Sequence, residues 1–127
     1  MPYIEVKIEP APTANQATVL ADGITKAMVE LMGKRQEVTA VRIATGDTAL
    51  WTIGGTPCAK PTAHLRAEIT VGTNSSAEKA EFLKRMHILL VETLGELAEA
   101  SYIVIHEIPA ENWGYGGKTQ AARAGRA

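Results

Sequence analysis

Leu50-Trp51-Thr52-Ile53-Gly54-Gly55 returns 62 positions later as Asn112-Trp113-Gly114-Tyr115-Gly116-Gly117. A tryptophan followed by a glycine pair therefore closes each half of the chain. Working outward, other features keep the offset. Thr13-x-x-Gln16 and Ser75-x-x-Glu78 both set a hydroxyl three residues ahead of an amide or carboxylate. That pattern satisfies the free N–H groups of a helix's first turn. Gly33 and Gly95 fall late in the two helical segments, again 62 apart. Shared offsets of this kind read as a duplication. The expected organisation is a single domain, 1–127, made of two units, 2–55 and 64–117, with 118–127 as a mobile tail.

Each unit reads as strand, helix, strand. Ile4, Val6 and Ile8 alternate with Glu5 and Lys7, which predicts a half-buried strand over 3–8. Residues 14–33 carry Leu20, Ile24, Met28 and Leu31 at helical spacing, and 38–44 form a short β-branched run. In the second unit Leu65, Ala67, Ile69 and Val71 alternate with Arg66, Glu68 and Thr70. Residues 76–99 place Leu83, Met86, Leu90, Leu94 and Leu97 on one helix face, and 102–108 are a strand. The segment 56–63, TPCAKPTA, links the units. A right-handed β-α-β crossover makes each unit's strands parallel. The expected fold class is α+β: two tandem β-α-β units, a four-stranded sheet, and two helices on one face. The other face is left uncovered, so apolar residues on it need a partner chain. The Gly-Gly pairs suit hairpins, either as plain turns or as strands pairing with a neighbour.

Composition narrows the function. Thirteen Lys and Arg against fourteen Asp and Glu give a net charge of −1. No nucleic-acid partner and no anionic membrane surface is expected from that balance. The longest uncharged apolar run, HILLV, is too short to span a bilayer, and the start of the chain has no signal-peptide core. A cytoplasmic location is the expectation. One cysteine, Cys58, excludes an intrachain disulfide and a cysteine-based zinc site. His87, in a helix, and His106, in a strand, show no metal-ligand partner, so no metal is expected.

The segment 104–117, VIHEIPAENWGYGG, the helix pattern, and proline directly after Met1 resemble the tautomerase superfamily. Its 4-oxalocrotonate tautomerases and its macrophage migration inhibitory factors are both similar. The 62-residue unit resembles the short oxalocrotonate subunit, so the chain looks like two such units fused. Residues 40–59, AVRIATGDTALWTIGGTPCA, resemble the middle of an inhibitory-factor chain. The resemblance implies the tautomerase fold, a homotrimer, and a cofactor-free isomerase acting on a small carboxylate substrate.

It also implies roles for individual residues. Methionine before a small residue is normally removed, which leaves Pro2 with a free secondary amine. That amine is a base able to move a proton between an enol and the carbon alpha to a carbonyl. Offset 62 makes His64 the counterpart of Pro2, and an internal residue has no free amine. One such site per chain is expected. Arg42 falls where the oxalocrotonate enzyme has a catalytic arginine, and a guanidinium can hold a carboxylate or enolate by two hydrogen bonds. Lys34 falls where the inhibitory factor has an active-site lysine. Trp51 and Trp113 align with an active-site phenylalanine, and Tyr102 with a pocket tyrosine supplied by a neighbouring subunit. A second family arginine is missing, since Pro12 and Asn74 stand in its place, and Arg66 or Lys34 is a candidate to replace it. Two rival readings remain: a dehalogenase, hydratase or decarboxylase of the same superfamily, and a non-enzymatic, cytokine-like trimeric binding protein.

Overall fold

Ile4, Val6 and Ile8 are buried while the residues between them are more open, so the period of two becomes a strand with one face to the core. In a computed structural model, which describes residues 2–44 and 50–125, both units take the same course. The first runs β1 (Tyr3–Glu9), α1 (Ala14–Glu30), a 3₁₀ turn (Gln36–Val38) and β2 (Ala40–Ala44), then the hairpin β3 (Thr52–Ile53) and β4 (Thr56–Pro57). The second runs β5 (Thr62–Thr70), α2 (Ser76–Leu94) and β6 (Tyr102–Ile108), then the hairpin β7 (Gly114–Tyr115) and β8 (Lys118–Thr119), and closes with α3 (Gln120–Arg123). The sheet order is β2-β1-β5-β6. Strands are parallel within a unit, and β1 and β5 join the units antiparallel. The α+β architecture is as the sequence implies.

Local chemistry sets the element ends. Thr13 with Gln16 and Ser75 with Glu78 both form complete capping boxes. Both helices stop sooner than the expected 14–33 and 76–99. Gly33 and Gly95 take φ of +68° and +92°, a left-handed region where glycine ends a helix without a Cβ penalty. Both glycines of each Trp-to-Gly-Gly segment also have positive φ, the requirement of a tight hairpin turn. One core unites Ile4, Val6, Leu65, Ala67 and Ile69 of the sheet with Leu20, Ile24 and Met28 of α1 and Phe82, Met86 and Leu90 of α2. Phe82, not Leu83, leads the buried stripe of α2, and Leu83 is 37% exposed.

Three other expectations change. First, the strand register shifts the repeat by one residue. Tyr3 lies beside Ala40, and His64 lies beside Tyr102. Ala40 and Tyr102 keep the 62-residue offset, but the central strands match at 61. Ala63 is therefore the structural counterpart of Pro2, and His64 that of Tyr3. The extra residue lies between β5 and the Ser75 cap, and a one-residue slip exchanges the faces of a strand. Second, residues 118–123 are folded: Thr119 caps α3, Ala121 is buried, and the Arg123 guanidinium lies 3.8 Å over the Tyr115 ring. Third, the helix-free face of the sheet is mainly polar. It carries Tyr3, Glu5 and Lys7 of β1, Arg42 of β2, His64, Arg66 and Glu68 of β5, and Tyr102, Val104 and His106 of β6. No described helix is long and apolar enough to cross a membrane.

Candidate active site

Pro2 immediately precedes β1, and its ring is fully buried. Its carbonyl accepts a hydrogen bond from the Ala40 N–H at 3.2 Å. Because Tyr3 lies opposite Glu68 and beside Ala40, Pro2 marks the end of the sheet where β2 begins and β5 runs out at Thr70.

Two other candidates gather at that end, through one turn. Lys34 Nζ donates to Thr73 Oγ1 at 2.9 Å, and Thr73 Oγ1 donates in turn to the Thr70 carbonyl at 2.7 Å. The Trp113 indole N–H donates to Thr70 Oγ1 at 3.1 Å. The turn after β5 thus holds a lysine from the first unit and a tryptophan from the second. Asn74 fastens it to the end of α1's segment by donating to the Met32 carbonyl. Burial holds the Lys34 amine below the usual lysine range, against the pull of the Glu78 carboxylate in the other direction. Sequence reasoning overlooked Thr70 and Thr73. Their signal was present as two hydroxyls flanking Val71-Gly72 directly after a strand.

The remaining candidates lie elsewhere in the chain. Arg42 is opposite Glu5, on the helix-free face, 69% exposed and 3.5 Å from the Glu5 carboxylate. Arg66 faces Glu5 from β5, and its Nε is buried without a hydrogen-bond partner among the described residues. Tyr102 begins β6 beside His64, at the far end of the sheet from Pro2, and is 62% exposed. Trp51 leads its own hairpin, where its carbonyl accepts the Cys58 N–H at 3.1 Å and the Cys58 thiol at 3.2 Å. Pro2, Lys34 and Trp113 therefore fall at the same end of the sheet. Arg42, Arg66 and Tyr102 lie on the helix-free face of the sheet. Among the described residues no group of three His, Cys, Asp or Glu side chains could hold a metal ion.

The second hairpin is the more tightly built. A Cβ on Gly114 would collide with the Lys118 backbone carbonyl, whereas Thr52 fills the equivalent place in the first hairpin. Beside it Glu111, Trp113, Gly114 and Lys118 help line a cavity of about 300 Å³. Thr70→Val removes the acceptor of the Trp113 indole. It is expected to destabilise the fold by about 1–3 kcal/mol, the cost of stranding a part-buried donor. Urea unfolding, with tryptophan fluorescence as the probe, measures that loss. An unchanged midpoint would show that Trp113 is held by packing alone.

Residues 64–123 match the family model described as tautomerase enzyme. No curated protein matches the chain. Solved structures of the same fold are numerous. A fused 4-OT, solved as an asymmetric trimer, is 23% identical with a TM-score of 0.82, covering 96% of this chain and 98% of that one. A protein inactivated by 2-oxo-3-pentynoate is 16% identical with a TM-score of 0.85, covering 98% and 99%. A macrophage migration inhibitory factor-like protein from Entamoeba histolytica is 19% identical with a TM-score of 0.77, covering 93% and 97%. The resemblance to the tautomerase superfamily is borne out, by family in the second unit and by fold across both.

Proposed function

We propose that the chain is a cofactor-free tautomerase that moves a proton between the enol and keto forms of a small 2-oxo acid. One observation carries this reading. The buried Pro2 ring shares an end of the sheet with Lys34 and Trp113, which are tied to a single turn. That end combines a would-be base, a cation and an aromatic wall.

In the proposed reaction, removal of Met1 frees the Pro2 amine. Burial of the ring disfavours the ammonium form, so the neutral base is populated. The amine takes the enol hydroxyl proton, the O–H electron pair becomes the carbonyl π bond, and the enol's C=C electrons capture the same proton at carbon. No net oxidation or hydrolysis occurs. Lys34 holds the substrate carboxylate and the developing enolate charge. Arg42 and Tyr102 lie on the helix-free face, Tyr102 at the far end of the sheet from Pro2, and serve a site across a subunit boundary in this reading. A homotrimer, as in the fused 4-OT structures, supplies such a boundary. Trp113 and Trp51 exclude water from the pocket.

Intact-mass spectrometry is the first test. The mature chain is expected to begin at Pro2. A retained Met1 would make the proline nitrogen an amide and remove the base, and the reading would fail.

A further inference from the structure

The centre of the helix-free face carries an unbroken row of four side chains: Arg42, Glu5, Arg66 and Val104. One carboxylate stands between two guanidinium groups. Glu5 is the least open of the ion-paired groups in this row, its side chain 16% exposed against 69% for Arg42. Tyr3 reinforces it, donating its hydroxyl to Glu5 Oε2 at 2.9 Å. Arg42 therefore does not present a bare positive charge. Its guanidinium already has an internal counter-ion, held in place from the side by a tyrosine, with Arg66 opposite it on the neighbouring strand.

We propose that Glu5 is a specificity-determining residue: by neutralising Arg42 it makes the site favour substrates with one carboxylate over those with two. The inference rests on the tautomerase reading given above, because it places Arg42 at the edge of a site in the assembly. Lys34 is left to read the carboxylate beside the reacting carbon. A second carboxylate, arriving at Arg42, meets Glu5 and must displace it. The same end of the substrate is tolerated when it is neutral or aromatic.

The test uses the full chain with Glu5→Gln, which keeps the shape and removes the charge. Equilibrium binding of adipate and hexanoate, of equal carbon count, is followed by calorimetry. Glu5→Gln is expected to tighten adipate roughly fivefold relative to hexanoate, the size of one partly exposed charge pair. In an Arg42→Gln background the same change should give a smaller selective gain, limited to relief of Glu5's own repulsion, as a double-mutant cycle requires if the two residues act as a pair. Arg42→Gln alone, which leaves Glu5 without its partner, should weaken adipate more than hexanoate, and it serves if Glu5→Gln does not fold. Turnover of 2-hydroxymuconate against phenylenolpyruvate should shift the same way in KM with kcat nearly constant. An adipate-to-hexanoate ratio unchanged by Glu5→Gln, or a wild type that binds neither acid, overturns the proposal. A wild type that binds the acids but turns over neither enol overturns the tautomerase reading instead.

Discussion

Chains whose Pro2 nitrogen is locked into a peptide bond, by one added residue that is not cleaved, are expected to lose ketonisation by about 10²–10⁴-fold in kcat/KM, the range of a lost general base. The added residue leaves the ring at its place ahead of β1, so the loss reads the blocked nitrogen rather than the packing of the ring. Pro2→Ala is expected to fall between this variant and the wild type. Alanine still offers an amine, but a primary one, without the ring that fills the buried position ahead of β1. Loss of that packing lets water reach the nitrogen, which favours its protonated form. Phenylenolpyruvate ketonisation, followed optically across pH, measures both effects. The wild-type rate should rise as the amine deprotonates and then level off, whereas the extended chain should show no such step. Undiminished ketonisation by the extended chain would show that another group carries the proton. Lys34 would then be the first group to replace, since it is half-buried at the same end of the sheet and its amine is held low by that burial.

How far the sequence alone leads can be judged residue by residue. The duplication was legible because caps and glycine turns are local: Thr13 with Gln16, Ser75 with Glu78, and the two glycine pairs each satisfy backbone groups within a few residues. Strand register is not local. Position 64 looked equivalent to Pro2 by counting, yet one extra residue before Ser75 moves that role to Ala63 and turns His64 to the helix-free face. The polarity of that face was visible in Glu5, Lys7, Arg66 and Glu68. The pairing of Glu5 with both Arg42 and Arg66 was not, because it depends on β1 lying between β2 and β5. At the candidate site Pro2, Lys34 and Trp113 were named from the resemblance, and all three fall at one end of the sheet. Their link through Thr70 and Thr73 could not be read from spacing, since it joins residues from positions 34, 70, 73 and 113. The closing helix was hidden by its brevity: four residues are too few to show a period, although Thr119 is an ordinary helix cap.

Phe82→Ala is expected to cost about 3–5 kcal/mol of folding stability, the range for emptying a buried aromatic site. Phe82 is the chain's one phenylalanine, and no part of its surface is exposed. It stands on α2 four residues before Met86 and eight before Leu90, so these three make the stripe that covers the sheet. The core cluster it belongs to draws on both units, with Leu65, Ala67 and Ile69 on β5 and Leu20, Ile24 and Met28 on α1. Those residues lie on rigid elements and cannot close the space a benzyl group leaves, so a cavity persists and the cost stays near the upper part of the range. A domain of this size has roughly 5–15 kcal/mol in total, so the variant should melt about 10–20 °C lower. Leu83→Ala, one residue away and partly exposed, should cost under about 1 kcal/mol. The contrast between neighbours is the decisive measurement, made by chemical denaturation at several protein concentrations so that any change in assembly separates from folding. Equal losses at 82 and 83 would mean that α2 is rotated from the orientation described. A small loss at Phe82 alone would mean that the two helices and the sheet can collapse into the space. In that event the end of the sheet bearing Pro2 and Lys34 would lack the rigid backing on which its placement depends.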